Sequence, residues 1–170
     1  MRFRHLFFIM GTLSLMACVS SCSEKEGAAL FEGNYSFKTS GSLNVEKTSS
    51  ESTSDPSEST LYLTAESGQM NIVRDGKDQV IITMNIIGSD VLVFKGEVDK
   101  TTLNITQAKR VIEVRDGAVS ATFDCTVSGQ AKRYDNLLIF TLVYDGNGTS
   151  SLYNYAVTSS EVNCVAKLNK

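Results

Sequence analysis

The sequence predicts an all-β fold, an antiparallel meander closed into a barrel of about eight to ten strands. Apolar and polar residues alternate along most of the chain, and Asp-Gly and related turn sequences separate the alternating segments. No stretch carries a capped apolar face with the 3.6-residue helical period. One face of the clearest strand carries Val119, Ala121, Phe123, Cys125 and Val127. Their polar neighbours on the other face indicate a half-buried strand.

The same alternation marks strands along the rest of the chain, with at most one short helical turn. The predicted strands span residues 35–45, 60–65, 70–73, 79–87, 91–98, 103–106, 111–114, 119–128, 137–144, 152–158 and 162–168. Tight turns favour antiparallel neighbours, because parallel strands need crossovers of about a dozen residues or more. Closure into a barrel removes exposed edges. An open β-sandwich is the alternative fold.

The N-terminus is predicted to be a signal peptide covering residues 1–21. Arg2 and Arg4 precede an apolar run at residues 6–16, which small residues and cysteine follow. This order is typical of secretory signals. The run is too short for a permanent membrane helix, which needs about 20 residues.

Two cysteines at the end of this segment, Cys18 and Cys22, each resemble the lipid-bearing cysteine of a bacterial lipobox. Ser20 and Ser21 before Cys22 are small enough for the signal peptidase, whereas Met16 is bulky at the equivalent place before Cys18. Cys22 is therefore the favoured lipidation site, with Cys18 and an ordinary secreted protein as alternatives. Two or more acyl chains, such as palmitate, hold a protein stably on a membrane.

The remaining chain divides into a lipidated tether at 22–30 and one barrel domain at 31–170. A Ser/Thr-rich loop at 47–59 contains the only proline, Pro56, and either covers a ligand or is a tether without a role. The acidic stretch 23–27 resembles the export tag of surface lipoproteins in Bacteroidetes-type bacteria. We therefore expect an outer-membrane lipoprotein, with surface display favoured over the periplasmic face.

The composition argues against nucleic-acid binding and against several kinds of catalysis. Cleavage before Cys22 removes Arg2 and Arg4 but no acidic residue, so the net charge falls from −3 to −5. A mildly acidic protein without a basic cluster is a poor candidate for binding nucleic acid. The only histidine, His5, leaves with the signal, which excludes Ser-His-Asp and Cys-His catalysis and histidine-ligated metals. We expect no enzyme, no cofactor and no metal site. A pair of carboxylates acting as a glycosidase is the less favoured alternative.

Cys125 and Cys164 both lie on the apolar face of their strands. Outside the cytoplasm this placement predicts a disulfide between them, and two buried thiols are the alternative. Tyr153 and Tyr155 share one face of a polar segment. They are the weakly supported ligand-binding residues, lining a cavity or stacking on a sugar. Core packing is the alternative for these rings.

The segment from Phe31 to Phe37, FEGNYSF, opens the first strand. It resembles the first strand of lipocalin-like, or calycin-like, β-barrel lipoproteins of Bacteroidetes-type bacteria. The resemblance covers nearly the whole mature chain in architecture but only this segment in motif. Lipocalins carry Gly-x-Trp here, and Tyr35 replaces the tryptophan. A partnering C-terminal arginine cannot be assigned, because the last arginine is Arg133. No ligand residue carries over from the family.

The expected function is binding, by a lipid-anchored barrel that holds a small hydrophobic or saccharide ligand in its interior or at its open end. This expectation depends on architecture, which is a weak guide to function. The alternative is a protein-interaction module with a filled core, such as an inhibitor, adhesin or accessory subunit. The sequence leaves the ligand, the protein partner and the oligomeric state open.

Overall fold

The computed structural model describes residues 26–51, 55–89 and 91–170. These residues form one 3-10 turn, Gly27–Leu30, and nine antiparallel strands. The strands are β1 (Gly33–Ser49), β2 (Ser57–Tyr62), β3 (Ser67–Arg74), β4 (Gln79–Ile86), β5 (Val91–Asp99), β6 (Thr102–Asp116), β7 (Val119–Tyr134), β8 (Leu137–Thr149) and β9 (Tyr153–Leu168). The predicted all-β class is confirmed. No helix among the described residues is long and apolar enough to cross a bilayer.

The sheet closes on itself. From β3 to β9 each strand pairs with the next, and β1 pairs with β3 on one side and β9 on the other. Eight strands thus form a ring, and β2 is an extra strand paired along the upper part of β1. The closed ring confirms the predicted barrel and excludes the alternative of an open sandwich.

The wall of this barrel is uneven in height. Strands β3, β4 and β5 have 8 or 9 residues, whereas β1, β6, β7, β8 and β9 have 13 to 17. Pairing of β5 with β6 runs from Asp99 and Thr102 to Gly96 and Ile105, where it stops. Above that point β6 faces β2 without a shared hydrogen-bonded register in the described chain. We call this gap, between β2 and residues 108–116 of β6, the wall opening.

A bend at residues 63–66 forms the lower corner of the wall opening. The bend separates β2 from β3, which both pair antiparallel with β1, β2 along its upper part and β3 along its lower part. The Leu63 amide donates to the Gly41 carbonyl at 2.9 Å, and the Thr39 amide donates to the Glu66 carbonyl at 2.8 Å. These bonds hold both ends of the bend on β1, so Glu66 has a fixed backbone position beside the opening.

The interior of the barrel is filled by apolar side chains, both at the closed end and at the level of the wall opening. On β7 the predicted alternation is present, since Ala121, Phe123, Cys125 and Val127 are all buried. The largest fully buried side chains are Tyr35, Phe31, Phe123, Phe140, Leu43 and Met70. Thr39 is the single buried polar residue among those the structure describes. At the wall opening a cavity reaches inward past the strands to the buried Thr39.

The end of the barrel below β3–β5 is closed by the 3-10 turn. Ala28 and Phe31 are fully buried there, and the Tyr35 hydroxyl donates to the Phe31 carbonyl at 2.8 Å. The Arg133 guanidinium donates to the Leu30 carbonyl. Residues 27–30, which lie within the predicted lipidated tether at 22–30, pack against this end of the barrel, and the boundary between tether and domain stays a prediction. Ala28 and Phe31 are apolar, so their burial draws the segment onto the barrel.

Two pairs of predicted strands are single strands. Segments 103–106 and 111–114 both belong to β6, and segments 152–158 and 162–168 both belong to β9. The pairing of β6 shifts between Ile105 and Ala108, and the pairing of β9 shifts opposite Asn44 and Val45. A bulge adds one residue to a strand and reverses its alternation, so the sequence pattern breaks where the strand does not.

The predicted loop at 47–59 is shorter than expected. Lys47 and Thr48 continue β1, and β2 begins at Ser57, which pairs with Lys47. Polar residues can extend strands at a barrel rim because both of their faces meet water. Residues 52–54 of this loop lie outside the described ranges, as do the predicted signal peptide and both candidate lipid cysteines, Cys18 and Cys22.

Candidate functional site: a cleft in the barrel wall

The wall opening leads into a cleft of about 480 Å³. We call it the side cleft. Its outer edges are the bend, with Leu63, Thr64 and Glu66, and the upper part of β6. Ser89 in the β4–β5 turn forms its lower edge, and Tyr144 of β8 lies at its back. Small-molecule sites commonly occupy about 300–1,000 Å³, so the side cleft is large enough for one small ligand.

Arg110 is the central polar residue of this cleft. In the β6–β7 register it pairs with the buried Cys125, so its side chain points inward, where an apolar residue is normal. Only 10% of the side chain is exposed. Its Nη1 donates to the Tyr144 hydroxyl at 2.6 Å, and its Nη2 donates to the Glu66 carboxylate. The resulting trio joins the bend, β6 and β8 across the opening.

At neutral pH Arg110 stays a charged guanidinium and Tyr144 stays a neutral phenol. Desolvation opposes the charge on Arg110, but Tyr144 and Glu66 together raise the pKa of this guanidinium. Burial raises the pKa of the Tyr144 hydroxyl, and Arg110 offsets only part of that effect. The phenol therefore keeps its proton and also accepts a hydrogen bond. Glu66, with 25% of its side chain exposed, keeps one edge toward the cleft.

Around the trio the cleft surface is mixed. Hydroxyl groups come from Thr39, Ser40, Thr64, Ser89 and Thr122. Apolar surface comes from Leu63, Ile112 and Val162, and a second carboxylate comes from the exposed Glu113. The Thr39 hydroxyl already accepts a bond from the Glu66 amide at 2.9 Å. The side cleft thus offers hydrogen-bond donors and acceptors beside apolar side chains, which suits binding.

Tyr153 and Tyr155, the ligand residues predicted from sequence, lie elsewhere. They sit at the far rim, where β9 starts, and do not line the side cleft. The Tyr155 hydroxyl donates to Asp116 at 3.1 Å, and Lys47 pairs with the same carboxylate at 3.0 Å. The Lys47 ammonium also lies 4.8 Å from the centre of the Tyr153 ring. These contacts tie β1, β6 and β9 together; a ligand role for the two rings stays a prediction.

The predicted disulfide is wrong. Cys125 and Cys164 are free thiols, each buried. In the sheet, Cys125 pairs with Gly146 and Cys164 pairs with Phe140, two positions of the same strand, β8. Their spacing along β8 separates the cysteines by about 20 Å, whereas a disulfide needs Cα atoms within about 7 Å. The alternative of two buried thiols describes the structure.

Burial also makes these thiols unreactive. It raises the pKa of Cys164 to about 12 and that of Cys125 to about 11. Thiolates are the nucleophiles and metal ligands of cysteine chemistry. Within the described ranges, no three side chains of His, Cys, Asp or Glu gather as a group that could hold a metal ion. The expectation of a protein without catalysis stays a prediction.

Sequence reasoning did not single out Arg110 or Glu66, two of the three residues that define the cleft. Arg110 lies between two segments that were predicted as separate strands, so its inward direction could not be assigned. Once β6 is one strand, Arg110 shares the face of Ile112 and Val114, the second of which is buried. A charged residue that continues an apolar face was the available signal. Glu66 carried none, because its position depends on the bend.

Comparisons with known proteins add little. No family model and no curated protein matches this chain. Among solved structures, the chain is similar to EF1p2_mFAP2b bound to DFHBI, at 11% identity and a TM-score of 0.43, over 84% of this chain and 97% of that one. It is similar to a redesigned β-barrel at 12% identity and a TM-score of 0.36, over 85% and 96% of the two chains. A third, the redesigned barrel mFAP1 bound to DFHBI, shows 11% identity and a TM-score of 0.36, over 84% and 99%. The barrel assignment depends on the chain's own strand register.

Proposed function

We propose that this chain is a non-enzymatic, lipid-anchored binding protein of a bacterial outer membrane, with a small hydrophobic or saccharide ligand in the side cleft. The observation that carries the proposal is the cleft itself, about 480 Å³ with mixed polar and apolar lining. A filled barrel needs no gap in its wall and no charged pair in its interior. Convergent polar groups in an apolar concavity are the usual form of a ligand site.

The anchor and the cleft fit one arrangement. The favoured lipid cysteine, Cys22, precedes the 3-10 turn at Gly27–Leu30 by a few residues, and that turn closes one end of the barrel. An anchor there holds the closed end toward the membrane. The wall opening lies in the other half of the barrel, so its mouth stays accessible to ligands. We extend the proposal to a lipocalin-like lipoprotein, which the burial of Tyr35 at the closed end supports, and to display at the cell surface, which rests on the acidic stretch 23–27 alone.

Lipidation is tested by mass spectrometry of the chain purified from membranes. We expect Cys22→Ser to remove the acyl chains and release the protein, whereas the matched Cys18→Ser variant keeps them. Retention of the acyl mass in Cys22→Ser together with its loss in Cys18→Ser would move the site to Cys18. An unmodified wild-type chain would contradict the anchor.

Ligand binding is tested by native mass spectrometry of the purified chain, with a search for a co-purified small molecule. Ile112→Trp fills the side cleft from β6 and should abolish ligand retention. Val165→Trp is the matched control, because this residue is 45% exposed on the outer face of β9. Equal ligand retention by both variants would show that the cleft is not the site.

A protein-interaction role is the second candidate. Val91 and Val93 are 55% and 58% exposed on β5, beside the segment where its pairing with β6 has ended. An unpaired edge with apolar side chains is a template for adding a partner's strand. We expect Val93→Lys to remove any protein that co-purifies through this edge, without altering ligand retention. A partner that still co-purifies would place the interaction elsewhere.

A further inference from the structure

The charge distribution of the side cleft disfavours an anionic ligand. Arg110 is its one basic lining residue, and it is already paired with Glu66. Glu113 adds a second carboxylate at the outer edge of the cleft, on the exposed face of β6. A ligand carboxylate or phosphate would have to displace Glu66 from the guanidinium and would then lie beside the negative charge of Glu66. Two negative charges in contact repel each other.

The same residues disfavour a purely hydrocarbon ligand. A guanidinium has five N–H donors, and the recorded bonds of Arg110 are one from Nη1 to Tyr144 and one from Nη2 to Glu66. No buried side-chain nitrogen or oxygen of the described residues lacks a hydrogen-bond partner, so the other donors of Arg110 and the second Glu66 oxygen are accessible to solvent. An acyl chain covering them would remove them from solvent and return no hydrogen bond, which is costly for charged groups.

A neutral ligand with several hydroxyl groups meets both conditions. Adjacent hydroxyls can accept from the guanidinium of Arg110 and donate to the carboxylate of Glu66. Hydrogen bonds to charged groups are stronger than those between neutral groups. Ser40, Thr64 and Ser89 offer further hydroxyl partners at the mouth, while Leu63 and Ile112 can contact the C–H face of a sugar ring.

We infer that the side cleft recognises a neutral saccharide, with the Arg110–Glu66 pair as its specificity determinant. This inference rests on the proposed function, because it names the ligand class of that same cleft. Arg110 supplies donors and Glu66 supplies acceptors to neighbouring sugar hydroxyls. Tyr144 orients the guanidinium from behind, and the apolar edge of the cleft takes the ring face.

The test is binding of the full-length chain to an array of neutral and acidic oligosaccharides, with palmitate measured separately by calorimetry. We expect neutral glycans to bind. Glu66→Gln keeps the shape of the side chain and removes its charge, so it should weaken glycan binding by about tenfold or more. Arg110→Met should do the same. Arg115→Met is the matched control, since it makes the same change on the exposed face of β6 and should leave binding unaltered.

Each other outcome is decisive. Palmitate or acidic glycans that bind in place of neutral ones, and that Ile112→Trp blocks, would overturn the saccharide inference and keep the proposed cleft. Bound ligands that Ile112→Trp leaves in place would overturn both. Circular dichroism checks that Arg110→Met folds. If it does not fold, the glycan affinity of Glu66→Gln decides the question alone, because Glu66 is partly exposed and the glutamine side chain has the same shape as the glutamate.

Discussion

Two arginines at opposite ends of the barrel show how the same side chain serves the fold in one place and a cleft in the other. Arg133, at the closed end, donates to the backbone carbonyls of Leu30 and Asp135. Arg110, beside the wall opening, donates to the side chains of Glu66 and Tyr144. A carbonyl is held by the backbone around it, whereas a carboxylate on a bend can exchange partners. The partners, not the arginine, distinguish a structural contact from a site prepared for a ligand.

The Arg110–Glu66 pair is not explained by a gain in folding stability. A buried ion pair gains little net stability, because the desolvation of both charges opposes their attraction. An apolar residue at position 110 would continue the inward face of Ile112 and Val114. The Arg110–Glu66 pair is therefore better explained by what it presents to the cleft than by what it adds to the fold.

The largest expected effect is at the closed end, where Tyr35→Ala removes a fully buried ring. Tyr35 is 1% exposed, and replacing a buried aromatic residue with alanine costs about 3–5 kcal/mol. Tyr134→Ala is the matched control, because its ring is 55% exposed. Urea unfolding measures both variants. If Tyr35→Ala and Tyr134→Ala had similar free energies of unfolding, packing at the closed end would not be a main contribution to the stability of the fold.

The next effect separates the two arginines. Arg133→Met leaves carbonyls at the closed end without their charged donor and should cost about 1.5–3 kcal/mol. Arg110→Met should cost less, since Glu66 is 25% exposed and can be hydrated instead. Glycan binding should show the opposite order, with Arg110→Met impaired and Arg133→Met intact. A greater loss of stability in Arg110→Met would make both arginines structural.

The fold was largely predictable because alternation survives along most strands. The class, the barrel and the inward face of β7 depend on local period-two patterns, which the sequence states directly. The cleft depends on what is not local. The bend at 63–66 and the bulge near Ile105 change direction through pairing with distant strands, so neither Glu66 nor Arg110 was recognised. The disulfide prediction was wrong for the same reason. Alternation shows that both cysteines point into the barrel, but it does not show how far apart they lie along β8.

Alkaline pH provides a test of the buried thiols that lie behind the cleft. Burial raises the pKa of Cys164 from 9.0 to about 12. Above about pH 9 an unfolded chain loses this proton while the folded chain keeps it, so the free energy of unfolding falls as pH rises. The stabilisation is complete below that pH and is lost as pH passes through the folded value. Urea unfolding between about pH 8 and pH 11 should show this slope.

The matched variant for this test is Cys164→Ala, whose stability should fall less steeply with alkaline pH than that of the wild type. Thiol labelling supplies a second readout. Two more thiols should react in denaturant than in the folded protein, because Cys125 and Cys164 are both buried. An unchanged slope in Cys164→Ala, or full labelling of the folded chain, would contradict the assigned burial.

The smallest effect on stability is expected at the far rim, away from both the closed end and the wall opening. Asp116→Asn removes the charge that faces Lys47, whose pKa is raised chiefly by its hydrogen bond to Asp116. Both side chains are about one-fifth exposed, at 22% and 17%, so the pair should contribute about 0.5–1 kcal/mol, less in high salt. A double-mutant cycle with Lys47→Met isolates the coupling. Asp116→Asn should not change glycan affinity, because Tyr153 and Tyr155 beside this pair lie outside the side cleft. A loss of affinity in this variant would instead place the ligand at the far rim, beside the two tyrosines predicted from the sequence.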